Sequence, residues 1–152
     1  LMMKGLHVPH NRQKYIYIDA HRQATKENIP FSSYTDPIGQ GIVNCYHVYG
    51  YAKQQNMAKQ FIEQVFKAIY VEGIDVADED NIAMICQKLG LDYQAAMLYG
   101  ETDDWQVWAD ANFAEMEEHG LWGVPCIKYG DLIYWGQDRL PLIEKAIMDD
   151  IS

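Results

Sequence analysis

Strand periodicity enters this chain only near its end. The stretch GLWGVPCIKYGDLIYWGQDR, Gly120 to Arg139, holds two short apolar runs, PCIKYG and DLIYWG, around a Gly130-Asp131 turn. That pattern predicts a β-hairpin. A two-stranded hairpin is not stable alone and needs further strands or helical cover. No earlier segment reads as a partner strand, so the sheet is short of partners.

The rest reads as helix. NRQKYIYIDAHRQATKEN predicts a helix from Asn11 to about Asn28, with Tyr15, Ile18, Arg22 and Thr25 on one face. Pro30 ends it, because the residue before proline is pushed away from helical angles. After the loop FSSYTDP, Asp36 is expected as an N-cap, with Pro37 at the first helical position. The following helix carries Ile42, Val43, Tyr46, Tyr49 and Ala52 despite Gly39, Gly41 and Gly50. In NMAKQFIEQVFKAIYVEG the stripe Phe61, Ile62, Val65, Phe66, Ile69, Tyr70 is closed by Gly73. Asp78 caps EDNIAMICQKLG, Gly90 ends it, and a short helix follows at DYQAAMLYG. Thr102 caps DDWQVWADANFAEMEEHG, with Asp103 and Asp104 at the positive end of its dipole. RLPLIEKAIMDDIS closes the chain as a helix with Leu142, Ile143, Ala146 and Ile147 as its buried stripe.

Length and composition narrow the function classes. With 152 residues, almost half of them apolar, the chain supports a folded core. A net charge of -10 argues against nucleic acid or an anionic membrane surface as partner. It leaves room for an anionic small molecule in a local cationic pocket. Cys45, Cys86 and Cys126 are odd in number and form no Cys-x-x-Cys pair, which fits a reducing cytoplasm better than a disulfide scaffold. No apolar run reaches membrane-spanning length. The spacing of His7 and His10 around Pro9 is poor for a metal, and no metal is expected. Cys45 and Cys86 read as core, Cys126 as a small packing residue, and His47 and His119 as surface or helix-end residues.

The quoted motifs carry a resemblance. GLWGVP (Gly120 to Pro125) and WGQDRL (Trp135 to Leu140) resemble the 2-hydroxychromene-2-carboxylate isomerase family, kin of kappa-class glutathione transferases and DsbA-like proteins. YIYIDAHRQATKENIPF and AIYVEGIDVADEDNIAMICQKLGLD are similar to that family's helical insertion. The resemblance covers nearly the whole chain in the right order. It implies an α/β thioredoxin-like (DsbA-like) fold, mostly helical, with a large helical insertion over 1–119 and a C-terminal β-hairpin plus helix over 120–152. It also implies that the chain as given lacks the family's first βαβ unit and its catalytic serine, so no catalytic residue is assigned.

The same resemblance implies glutathione as cofactor. Pro125 is the position of the family's cis-proline, and Val124 before it would pair its backbone with a cysteinyl ligand. Asp138 would accept from the γ-glutamyl ammonium, helped by Gln137 at the ligand carboxylate; alternatively Asp138 simply caps the last helix. Arg12 would offer a forked donor to a carboxylate or thiolate, or be an ordinary exposed arginine. Arg139 reads as a solvated residue or ion-pair partner. Trp122 and Trp135 could wall an aromatic pocket, though core packing is the commoner role for tryptophan.

Three functions follow as expectations. The first is a glutathione-dependent isomerase or transferase acting on a small aromatic or thiol substrate. The second is a DsbA-type disulfide oxidoreductase, weakened by the missing Cys-x-x-Cys. The third is a non-enzymatic binding protein, or a homo-oligomer in which another chain covers the open sheet edge.

Overall fold

The protein is described by a computed structural model over residues 9–32 and 37–151. Contacts group it into two units, Leu1–Trp105 and Gln106–Ser152.

Among its described residues the first unit holds helices and no strand. Helix α1 spans His10–Lys26 and α2 Gln40–Gln54. Helix α3 spans Ala58–Lys67, and the chain continues through one π-helical turn, Ala68–Glu72. Helices α4 (Glu79–Leu89) and α5 (Tyr93–Gly100) complete it. The helix ends follow local chemistry. Asp78 Oδ1 accepts from the Asp80 N–H at 2.9 Å and Asp92 Oδ1 from the Ala95 N–H at 3.0 Å, each satisfying an orphan donor. Gly90 closes α4 at φ 70°, with the Leu91 N–H on the Cys86 carbonyl at 2.9 Å. Asn28 does the same for α1 at φ 55°, so an asparagine stops that helix well before Pro30 acts.

Two expectations here need correction. Helix α2 starts at Gln40 after Gly39 at φ 72°, so Pro37 is not its first residue; Asp36 lies outside the described residues. The buried face of α2 is Gly41, Asn44, Val48, Gly50 and Ala52, not the bulkier apolar residues. The cause is close packing, on Val76-Ala77 at Gly41 and Asn44 and on α5 at Gly50. A Cβ on Gly50 would stand 3.0 Å from Tyr99 Cζ, and one on Gly100 would overlap the His47 ring. The core gathers Val48, Phe61, Val65, Ile69, Val76, Ile82, Ile85 and Cys86. Each such side chain contributes about 1.5–3 kcal/mol by leaving water. The buried Asn44 is satisfied, with Nδ2 donating to the Val76 carbonyl at 3.0 Å and Oδ1 accepting from Gln40 Nε2 at 2.9 Å. Among the described side chains of α1, only Ala24 is buried; Tyr15, Ile16 and Ile18 are exposed.

Helix α6 (Asp104–Glu118) runs across the division between the units. Thr102 Oγ1 accepts from the Asp104 N–H at 3.4 Å at its start. At its end Gly120 takes φ 69°, with its N–H on the Glu117 carbonyl at 3.0 Å and the Leu121 N–H on the Met116 carbonyl at 2.7 Å.

The second unit is then a strand, a strand and a helix. Strands β1 (Cys126–Tyr129) and β2 (Leu132–Trp135) pair antiparallel, Cys126 opposite Trp135 and Tyr129 opposite Leu132. Gly130 turns the chain at φ 57°. A 3₁₀ turn, Gln137–Arg139, leads into α7, Leu140–Ile151. The Tyr129 hydroxyl donates to the Asp150 carboxylate, tying hairpin to helix and raising the tyrosine's pKa. The expected stripe of α7 is only partly buried: Ile143 is, whereas Leu142 and Ile147 are exposed. Two strands offer too little area to cover an apolar face that also includes Leu140 and Met148.

Candidate functional site

The hairpin's open end collects four of the five expected site residues. Beyond the last strand pair, the Gly136 N–H donates to the Pro125 carbonyl at 3.0 Å, adding one rung to the ladder. Val124-Pro125 and Gly136-Gln137-Asp138 therefore lie side by side. The Val124–Pro125 peptide bond is cis. Val124 is 63% exposed, and no described residue hydrogen-bonds its backbone. Its N–H and C=O are open to an extended peptide-like ligand.

An ion pair holds Asp138. Its Oδ2 accepts from Arg139 Nη1 at 2.8 Å, an ion pair with both partners in solvent. Its Oδ1 sits where a Cβ on Gly136 would come within 2.5 Å. Gly136 adopts φ 107°, ψ 147°, a region left essentially to glycine. Asp138 lies inside the 3₁₀ turn that leads into α7. Charge-assisted and exposed on one side, it can accept from a ligand ammonium. Gln137 is exposed beside it.

Arg12, the fifth residue, belongs to the first unit. It lies exposed in the first turn of α1, with its N–H on Asn11 Oδ1 at 2.9 Å.

The tryptophans depart from the commoner expectation of core packing. Trp122 and Trp135 are 67% and 52% exposed, with ring centroids 4.5 Å apart and planes at 42°. They pack on each other rather than in a core. A Cβ on Gly123 would stand 2.8 Å from Trp135 Nε1, so the indole crosses the backbone immediately before Val124. The sequence reading missed the roles of Gly123 and Gly136. Both glycines stood in the quoted motifs, and glycine where a backbone must accept a close neighbour is the signal that could have found them.

Other candidates resolve plainly. His119 sits just past α6, with Nδ1 3.4 Å from Lys128 Nζ. His47 is not a surface residue: it is half-buried against the Trp105 ring at 5.5 Å, and burial lowers its pKa. Cys86 is fully buried and Cys45 half-buried; desolvation pushes their thiols up to about 11 and about 12. Cys126 is half-buried on β1. Among the described residues no cluster of three His, Cys, Asp or Glu is arranged for a metal, and no helix is long and apolar enough to cross a membrane.

Known proteins resemble this chain over most of its length. The family model for a DSBA-like thioredoxin domain matches residues 3–148. A 2-hydroxychromene-2-carboxylate isomerase of Sphingobium xenophagum is 26% identical over 95% of this chain and 75% of its own length. One from Pseudomonas putida is 30% identical over 64% of this chain, which spans only 48% of that relative. A solved structure of a 2-hydroxychromene-2-carboxylate isomerase superposes with a TM-score of 0.74 at 25% identity, over 96% of this chain and 76% of the other.

Proposed function

We propose, on the premise that this chain belongs to the DSBA-like thioredoxin domain family, that it acts in a glutathione-dependent isomerisation of the 2-hydroxychromene-2-carboxylate type. The observation that carries this reading is the hairpin end. There an open backbone at Val124 lies beside the Asp138 carboxylate, locked by the Gly136 N–H to Pro125 carbonyl bond. Relatives named as isomerases support the reading.

In this reading Val124 faces the cysteinyl unit of glutathione, Asp138 receives the γ-glutamyl ammonium, and Gln137 meets the neighbouring carboxylate. The glutathione thiolate adds to a conjugated C=C of the substrate, forming a C–S bond while the π pair moves onto the carbonyl oxygen. Rotation about the resulting single bond follows. Collapse of the enolate expels the thiolate, so glutathione is regenerated and no atoms are gained or lost. Arg12 is a proposed donor to a glutathione carboxylate or thiolate, to be tested by Arg12→Ala in the titration below. The setting proposed is the cytoplasm.

Thiol–disulfide exchange is the weaker alternative. No Cys-x-x-Cys pair occurs in the chain, and burial keeps the Cys45 and Cys86 thiols protonated at neutral pH.

Calorimetric titration with reduced glutathione tests the reading. Asp138→Ala should weaken binding by roughly 10- to 150-fold, the value of a charge-assisted hydrogen bond. Unchanged affinity in that variant would remove Asp138 from the site. Absence of glutathione binding to the parent chain would remove the reading itself.

A further inference from the structure

We infer that the basic helix α1 of one copy of this chain docks on the acidic outer face of α6 of a second copy, forming a salt-sensitive homodimer. The inference stands on charge and exposure in these two helices and does not use the glutathione reading.

Each helix leaves most of its surface in water. Helix α1 runs for 17 residues and, among its described side chains, buries only Ala24. A helix of that length is marginal on its own hydrogen bonds and draws its stability from a packed apolar face. Its outer face carries Tyr15 and Ile18 beside Arg22, all exposed, at the i, i+3, i+7 spacing of one helical stripe. Helix α6 buries no residue fully. Trp105, Trp108, Ala109 and Met116 are half-buried along one side of it. On the other side Val107, Asp110, Ala114 and Glu117 are all exposed, again at helical spacing. Each outer face is thus a narrow apolar strip bordered by charge.

The charges are opposite in sign. Helix α1 holds four cations, Arg12, Lys14, Arg22 and Lys26, against the single carboxylate of Asp19. Helix α6 holds Asp104, Asp110, Glu115, Glu117 and Glu118, and no lysine or arginine. Among the described residues no carboxylate lies within ion-pair reach of Lys14 or Arg22, and no cation within reach of Asp110, Glu117 or Glu118. Two copies of net charge -10 repel each other at long range. Contact of α6 with α6 would set carboxylate on carboxylate, and α1 with α1 cation on cation. Only α1 on α6 brings unlike charges together, which selects that pairing against the other two. Two-fold symmetry doubles the contact, α1 on α6 and α6 on α1, toward the roughly 1,000 Å² that a specific interface needs.

Sedimentation equilibrium of the chain tests this, with protein at about 100 μM, where a Kd of about 10 μM or tighter leaves mostly dimer. Runs at about 20 mM and about 500 mM salt take the screening length from roughly 20 Å to roughly 4 Å. The expected mass at low salt is that of a dimer, and high salt should weaken association by roughly tenfold or more. Lys14→Glu with Arg22→Glu inverts the sign of α1. Asp110→Lys with Glu117→Lys and Glu118→Lys inverts that of α6. Each variant alone should be monomeric at low salt, and an equimolar mixture of the two should regain the dimer mass, because each contact in the mixed pair again joins unlike charges. Far-ultraviolet circular dichroism checks that both variants fold. The two sets lie on different helices, so a misfolded variant leaves the other to decide. A monomeric parent at low salt, which leaves these faces to a different molecule, overturns the inference. So does a dimer that neither salt nor the folded variants disturb, and so do folded variants that stay monomeric when mixed.

Discussion

Replacing Gly136 by alanine separates the hairpin end from the rest of the molecule. At φ 107°, ψ 147°, an alanine pays the strain of a conformation left to glycine, about 1–3 kcal/mol. Its Cβ would also stand 2.5 Å from Asp138 Oδ1, so the carboxylate must swing away. Two measurable effects follow. For a chain of this length about 2–4 °C of melting temperature goes with each kcal/mol, so the transition that reports the hairpin should fall by roughly 2–12 °C. Displacing the carboxylate should cost much of a charge-assisted bond, about 1.5–3 kcal/mol, or roughly 10- to 150-fold in glutathione affinity. Gly130→Ala is the matched control. It too has positive φ, 57°, but nothing lies within 4 Å of its would-be Cβ. It should lower the melting temperature while leaving glutathione affinity alone. The assays are near-ultraviolet circular dichroism melts and calorimetric titration on all three proteins. If Gly136→Ala binds glutathione as tightly as Gly130→Ala does, the geometry assigned to Asp138 is wrong.

Three further outcomes follow from the first unit. Burial lowers the His47 pKa below 6.5, so the unfolded chain takes up the proton first. Stability is then fully present above about pH 6.5 and is lost as pH falls from there through the folded pKa, a slope that His47→Gln should remove in urea titrations at stepped pH. Gly100→Ala forces a methyl into the His47 ring and should destabilise by about 1–3 kcal/mol, read as a lower urea midpoint at constant slope. With thiols at about 11 and about 12, fewer than roughly one in a thousand Cys86 and Cys45 side chains is thiolate at pH 8. Iodoacetamide followed by peptide mass mapping should therefore modify Cys126 first; rapid native labelling of Cys86 would contradict the packing of the core.

What could be read from the sequence was what local chemistry decides. Asp78, Gly73 and Gly90 mark helix ends because capping oxygens and left-handed glycines act within a few residues. The hairpin was legible because a Gly130-Asp131 turn joins two short apolar runs. Where tertiary contact decides, the reading failed. Helix α2 buries Gly41, Asn44 and Gly50 because Val76-Ala77 at the first two and Tyr99 of α5 at the third approach closely, and no periodicity of apolar residues signals that. The π turn at Ala68–Glu72 leaves the apolar stripe almost undisturbed, yet its Tyr70 carbonyl accepts from the Ser32 N–H at 3.1 Å, a partner far off in sequence. In α7 the stripe Leu142–Ile147 promised burial that depends on how much sheet is there to receive it. At the site, the identities of Val124, Pro125, Gln137 and Asp138 were available from motifs. The exposure of the two tryptophans was not, because burial belongs to neighbours rather than to residue type.

The rung between the Gly136 N–H and the Pro125 carbonyl has a consequence for how such a chain can vary. The two halves of the site are spaced by strand pairing, not by the length of the connection between them. Four residue pairs, about 13 Å of ladder, separate that rung from the turn at Gly130. Residues gained or lost at the tip would lengthen or shorten a loop at the far end and leave Val124 facing Gln137-Asp138 as before. One residue gained within Cys126–Tyr129 would instead take Pro125 out of register with Gly136 and turn the residues before it to the opposite face. Length changes across such hairpins should therefore collect at the tip and be absent between Pro125 and Tyr129.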